Sequence, residues 1–185
     1  MRAVQGMVFI SLLVYLAGCQ SAPLSQSVNV WVAHQGGVVP GSEQARAEAV
    51  AHPLLACCKG RTVSIQVLNS DAVGAFSWRN GRVYVTRGLM DRLSDHELAA
   101  VISHELGHLL SDGQLQTVAS LSGCYADPDR EVRADAAGLA LLRASGLPPQ
   151  AMVSMLQKIE SAGSLPPNCR VAIQHRIAII SAQIQ

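Results

Sequence analysis

The sequence predicts an α+β fold: a helix-rich domain with a small β-sheet or hairpin beside one central helix. Three observations carry this. Ser94–Asp112 joins a helix-start signal to an apolar stripe of helical period. Thr62–Leu68, and the two runs flanking Asn80-Gly81, alternate polar and apolar residues as strands do. Beyond Asp127, three more helical patterns are separated by glycine or paired prolines. A chain of 185 residues fits one domain and can bury a sizeable core.

In chain order, residues 1–18 read as a signal peptide. Arg2 precedes an apolar run from Met7 to Leu16, and small residues follow. Leu16-Ala17-Gly18-Cys19 resembles a bacterial lipobox, which implies cleavage before Cys19 and lipidation of that cysteine. Gln20 stands where an inner-membrane retention signal usually has aspartate, so the same resemblance favours the outer membrane. An ordinary signal peptide or a short membrane anchor is the alternative. Residues 19–41 then form the lipidated N-terminus, with Ser21–Ser27 as a tether and Val28–His34 as a possible first strand. Gly36-Gly37 and Pro40-Gly41 mark loops.

The folded domain is expected over residues 42–185. Ser42 can cap a helix through Glu43–Ala51, limited or kinked by Pro53 before Cys57-Cys58. Thr62–Leu68 is a strand. Ala75–Trp78 and Arg82–Thr86 around Asn80-Gly81 are a hairpin, because this dipeptide suits the tight turn that joins antiparallel strands. The hairpin can offer an edge strand to an extended peptide, with Ala75, Phe76 and Trp78 as candidate substrate-binding residues. Packing of these rings in the core is an equal alternative. Gly88–Leu93 reads as a helical turn leading into Ser94. Asp127-Pro128 restarts a helix, with aspartate as N-cap and proline at the first helical position, and Gly146 stops it. Pro148-Pro149 opens a helix to about Ser161, and Pro166-Pro167 precedes a last one at roughly Val171–Ala182.

The central helix carries the chemistry. Ser94-x-x-Glu97 has the form of a capping box, and Leu98, Val101, Ile102, Leu106 and Leu109 form its stripe. Within it lies His104-Glu105-Leu106-Gly107-His108, the HExxH pattern of zinc metallopeptidases. Residues four apart share a helix face, so His104 and His108 can offer nitrogens to one zinc ion. Glu105, about 100° further round, is placed to take a proton from a water activated there. Two core histidines on a buried helix are the alternative, against which the capping, the amphipathicity and the intervening glutamate all weigh. Gly107, a poor helix former, suggests that another backbone passes closely.

Composition excludes some functions. Cleavage of the signal removes Arg2 alone among charged residues, and 13 basic residues then balance 13 acidic ones. No basic stripe exists of the kind nucleic acid requires, so no nucleic-acid partner is expected. Beyond the signal no apolar run is long enough to span a bilayer. Apart from Cys19, the four cysteines Cys57, Cys58, Cys124 and Cys169 are an even number, expected to form disulfides in an oxidising compartment. Adjacent cysteines rarely bridge each other, so Cys57 and Cys58 are each expected to pair with Cys124 or Cys169.

A catalytic zinc needs a third protein ligand. Glu131, on the helix after Asp127, is the best candidate, and Asp135 one turn later can accept a hydrogen bond from a liganding imidazole. A solvated helix face, pairing with Arg130 or Arg133, is the alternative. HELGH followed by ExxxD resembles the gluzincin peptidases of the HtpX and CAAX-prenyl-protease type, metallopeptidase family forty-eight, with its lipoprotein and Oma-like members. The stretches Ala75-Phe76, Gly81–Leu89, Glu97–Val101 and Arg176-Ile177 resemble it too, so the likeness runs over roughly residues 42–180. It implies a zincin-like domain holding one Zn2+ per chain through His104, His108 and Glu131. Glu105 is then the general base and Asp135 the zinc-supporting aspartate; apart from the resemblance, His175 or Arg176 is a candidate to stabilise the oxyanion. Two departures stand out: Arg170-Val171 replaces the His-Pro that often precedes the Arg-Ile, and the membrane spans of HtpX-type members are missing. The expected function is a membrane-anchored, periplasm-facing zinc endopeptidase acting on misfolded or misassembled envelope proteins, with protein or peptide substrates and envelope assembly partners. The alternatives are a zinc-bearing adaptor or chaperone lipoprotein that rarely cleaves, and a plain disulfide-stapled lipoprotein.

Overall fold

The computed structural model describes residues 24–78, 80–111, 127–161 and 165–185, with backbone alone for residues 24–27. The signal peptide, Cys19, Cys124 and the Gln114–Ala126 connection lie outside the described residues. Seven helices and three strands follow in the order α1 (Leu24–His34), α2 (Ser42–Cys57), β1 (Ser64–Leu68), β2 (Ala75–Trp78), β3 (Arg82–Thr86), α3 (Arg87–Met90), α4 (Asp95–Ser111), α5 (Pro128–Ala144), α6 (Gln150–Ser161) and α7 (Pro167–Gln183). This is the helix-rich α+β domain that the sequence predicts.

The sheet has the order β1-β3-β2, with β1 parallel and β2 antiparallel to β3. Gly81, at φ 81°, makes the hairpin turn, its N–H donating to the Trp78 carbonyl at 2.9 Å. Gln44 on α2 stitches to β1: its Nε2 donates to the Ile65 carbonyl at 2.8 Å and its Oε1 accepts from the Val67 N–H at 3.0 Å. Alternation along the strands gives the sheet two apolar faces. Ile65, Val67, Ala75, Val83 and Val85 face the main core with α2 and α4. Leu68, Phe76, Trp78 and Tyr84 face the other way, onto α1.

That second face corrects the expected first strand at Val28–His34, which is the helix α1. Alternation of Val28, Val30 and Val32 fits a strand, but the burial follows helical spacing. Val28, Trp31 and Val32 pack on the sheet, whereas Val30 is 56% exposed. Trp31 meets Phe76, Trp78 and Tyr84 at ring-centroid separations of 5.0, 5.9 and 5.6 Å. An uncovered aromatic face beside residues with an i, i+3, i+4 stripe selects the helix.

α2 runs through Pro53 to Cys57 rather than stopping near Ala51, and it starts behind Gly41, whose φ is 98°. Burial of Ala51 and Leu54 on either side of the proline outweighs the one missing helical hydrogen bond. The expected disulfide pairing is also corrected. Cys57 and Cys58 are free thiols. The Cys57 thiol instead lies 3.5 Å from the Ser145 hydroxyl, at the far end of α5, and Cys58, which caps α2, is buried in the main core. Cys169 is buried at the start of α7, which begins at Pro167, earlier than the pattern suggested.

α4 is the axis of the domain and packs against α5, α6, α2, β2 and β3. Its start is the capping box read from the sequence: Ser94 N–H donates to Glu97 Oε2 at 2.8 Å, and Glu97 N–H donates to Ser94 Oγ at 3.4 Å. Lys158 Nζ on α6 adds an ion pair to Glu97 at 2.6 Å. Asp127 caps α5 through the Asp129 N–H at 3.1 Å. At its other end Gly146, with φ 70°, closes a Schellman turn in which Gly146 and Leu147 N–H groups reach the Arg143 and Leu142 carbonyls. No described helix is long and apolar enough to cross a membrane.

α4 and α5 meet at glycines. A Cβ on Gly107 would lie 2.2 Å from the Ala134 carbonyl oxygen, and one on Gly138 would lie 3.0 Å from the Ser103 backbone. Gly107→Ala must therefore push the helices apart. It should destabilise the domain by about 1–3 kcal/mol, the usual cost of overpacking. Urea unfolding of the two proteins checks this, and equal midpoints would show that the crossing can relax.

Candidate metal centre

Every residue from Glu97 to His108 on α4 is buried, so the histidines sit within the core rather than on a surface face. Opposite them, α5 buries Glu131, Ala134, Asp135, Gly138, Leu139 and Leu142, a helical stripe that contains two carboxylates one turn apart. The close crossing turns this acidic part of the stripe onto the imidazoles.

His104, His108 and Glu131 come together, and among the described residues they form the one group of three or more that could hold a metal ion. His104 Nε2 lies 3.2 Å from His108 Nε2. Glu131 spans the pair, with Oε2 3.4 Å from His104 Nε2 and Oε1 3.4 Å from His108 Nε2. Ligands about 2.0–2.1 Å from a tetrahedral ion are separated by roughly 3.3 Å, so these donors fit a small divalent cation. The orphaned atoms agree with that fit. Both carboxylate oxygens of Glu131 and both of Glu105 are buried without a hydrogen-bond partner among the described residues.

Asp135 organises the rest. Its Oδ1 lies 2.8 Å from His104 Nδ1, and a carboxylate only accepts, so Nδ1 carries the hydrogen and leaves the Nε2 lone pair for the ion. Arg176, from α7, completes the cluster. Its Nε donates to Asp135 Oδ2 and its Nη2 to Asp135 Oδ1, both at 2.7 Å, while Nη1 lies 3.3 Å from Glu131 Oε2. Burial works against ionisation of both carboxylates, but opposing charges win, helped at Asp135 by its hydrogen bonds. The histidines and Arg176 hold Glu131 far below the usual range, and Arg176, with His104, holds Asp135 down. For His104, burial and the Arg176 charge lower the pKa, yet the Asp135 and Glu131 carboxylates outweigh them and it is pushed up to about 9. Glu105 goes the other way: burial raises its pKa, against the lowering pull of the two imidazoles.

Other candidates fall elsewhere. His175 is exposed on α7 and outside the cluster, because the residue one step from Arg176 points about 100° away. Ala75 is fully buried under the sheet, so its side chain is not on offer to a ligand. Phe76 and Trp78 are half-buried against Trp31. Arg176, read from the sequence as an oxyanion donor, instead faces the α5 carboxylates. The signal for this was present, since Cys169, Ile173, Arg176 and Ile180 form the buried stripe of α7 and a charge in such a stripe requires a buried partner.

Residues 42–126 match the profile of peptidase family M48, the family that the motifs resemble. Over 64 residues, 35% of this chain, the sequence is 39% identical to Metalloprotease LoiP of Escherichia coli strain K12. Over 50 residues, 27% of this chain, it is 42% identical to Metalloprotease YcaL of the same strain. These matches span 25% and 20% of the two relatives' lengths. They support a metalloprotease, with a His-His-Glu group available for its metal.

Two outcomes follow from the cluster. Glu131→Gln should lower metal retention, measured as metal per chain after gel filtration in dilute chelator, because an amide is the poorer ligand. Metal must also displace the His104 proton. Below about pH 9 the apparent affinity should therefore rise with pH by about tenfold per unit, in a chelator-competition titration between pH 6 and 8. A flat profile would mean that His104 is already neutral in the metal-free protein.

Proposed function

We propose that this chain is a zinc endopeptidase that hydrolyses peptide bonds of misfolded or misassembled envelope proteins. The observation that carries the reading is the meeting of His104, His108 and Glu131 with a buried Glu105 beside them, whose oxygens lack a hydrogen-bond partner among the described residues. Two imidazoles and one carboxylate are a donor set that zinc favours, with one ion expected per chain. A zinc ion there supplies Lewis acidity, polarising the scissile carbonyl and making water a stronger acid.

The chain's own groups do the remaining work. Glu105 Oε takes the proton of the attacking water and later passes it to the leaving amine. With its pKa raised by burial, the carboxyl both accepts and releases that proton more evenly than an exposed glutamate. Asp135 and Arg176 keep the His104 ring turned with Nε2 inward. The substrate backbone adds alongside β2, the edge strand that packs beside α4. In this reading β2 offers its main chain, since Phe76 and Trp78 are engaged by Trp31.

Glu105→Gln tests the reading. The variant should fold and keep its metal but lose cleavage of unfolded casein by at least about 100-fold, the scale of a lost general base. If the parent cleaves nothing and the variant still complements a deletion strain in full, an adaptor or chaperone replaces the enzyme.

The N-terminus suggests the location. We propose lipidation at Cys19, a periplasm-facing domain and residence at the outer membrane, on the strength of Leu16-Ala17-Gly18-Cys19 and Gln20. Cys19→Ala should move the protein from the membrane fraction to the soluble fraction, or leave its signal uncleaved. Membrane association of a cleaved, unlipidated chain would count against the lipobox.

A further inference from the structure

We infer that Arg176 is a positioning residue of the metal centre rather than a group that meets the substrate. It acts as a fork from α7 that fixes the planes of both α5 carboxylates. The inference rests on the metalloprotease reading and assigns to the last helix a part in shaping the site.

Three features point to this role. The first is commitment: each guanidinium nitrogen faces a carboxylate, Nε and Nη2 at 2.7 Å from the two Asp135 oxygens and Nη1 at 3.3 Å from Glu131 Oε2. Nη2 also lies 3.2 Å from His104 Nδ1, so the guanidinium is engaged by the α4–α5 cluster itself, as a positioning group is. The second is burial, since Arg176 is 3% exposed. The third is where the held atoms point. Asp135 Oδ1 accepts from Arg176 Nη2 and from His104 Nδ1, so the fork fixes the carboxylate edge that sets the imidazole's orientation. Glu131 Oε2, the oxygen nearest Arg176 Nη1, is also the one 3.4 Å from His104 Nε2. One planar group thus restrains a candidate ligand directly and a second through its support.

The planarity matters. Two parallel N–H···O bonds define a plane, whereas the ammonium of lysine is a point charge that leaves the carboxylate free to rotate. Arg176→Lys keeps the positive charge and should still disturb the metal geometry.

The experiment compares parent, Arg176→Lys and Asp135→Asn, each loaded with Co2+ as a spectroscopic probe and titrated with zinc against a chelator. Both variants should lose about 10- to 100-fold in zinc affinity, as expected for supporting groups around a metal ligand. Both should also show a changed visible Co2+ absorption band, which reports coordination geometry. A merely structural role would lower the melting temperature and leave the band of the folded fraction unchanged, and an oxyanion role would lower kcat with affinity and band intact. Either result overturns the inference. Asp135→Asn is nearly isosteric and guards against the lysine variant failing to fold: if it binds and absorbs like the parent, the inference is likewise overturned. A parent that takes up neither Co2+ nor zinc would instead overturn the metalloprotease reading, and this inference with it.

Discussion

The distance between α4 and α5 governs the site, and two glycines set it. Helices with ordinary side chains at their contact lie about 8–10 Å apart, each held off by the other's Cβ atoms. Here Gly107 lies against the Ala134 backbone and Gly138 against Ser103, where any Cβ would be in steric conflict. Glu131 and Asp135 flank Ala134 on α5, and His104 and His108 flank Gly107 on α4. Close approach at the centre therefore brings these four side chains within reach of one another. A wider crossing would leave the carboxylates to solvent and the imidazoles to the core.

Close approach creates an electrostatic demand that the fold must meet. Glu131 and Asp135 are both about 2% exposed, and two ionised carboxylates in a dry site are costly unless opposed. Arg176 opposes them from a third helix, and the His104 proton or a metal ion supplies the rest. The outcome is a set of mutually dependent groups. Asp135 needs Arg176 to stay ionised, His104 needs Asp135 to keep its tautomer, and Glu131 is held by both neighbours. Glu105 differs from them, in that burial raises its pKa against the pull of the two imidazoles.

The sheet serves the same helix in a different way. Its inward face packs on α2 and α4, and its outward face of Leu68, Phe76, Trp78 and Tyr84 is closed by α1. The aromatic residues of the hairpin thus belong to a second, smaller core, and the edge of β2 remains the part of the hairpin best placed beside α4. Arg46 reinforces this arrangement from α2, binding Asp95 at 2.8 Å and the carbonyls of Met90 and Leu93 at the entrance to α4.

By itself the sequence determined what depends on a few neighbouring residues. The capping box at Ser94 and Glu97, the Asp127-Pro128 start, the Gly146 stop and the Asn80-Gly81 hairpin are local signals, and each is found in place. Two histidines four apart with glutamate between them named the candidate site, because helical spacing alone aligns them. Gly107 even announced a close neighbour, though not which one. Tertiary structure decided whatever depends on what an element meets. Val28–His34 carries both an alternating and a helical pattern, and the waiting aromatic face of the sheet chose the helix. Cys57 and Cys58 were countable as bridge partners, but α2 carries them to the Ser145 end of α5 and to the core, where their thiols stay free. Arg176 and His175 are neighbours in sequence, and only the docking of α7 buries one against Glu131 and Asp135 while turning the other to solvent. Spacing fixes which residues share a face; which surface that face meets is settled by packing of the whole chain.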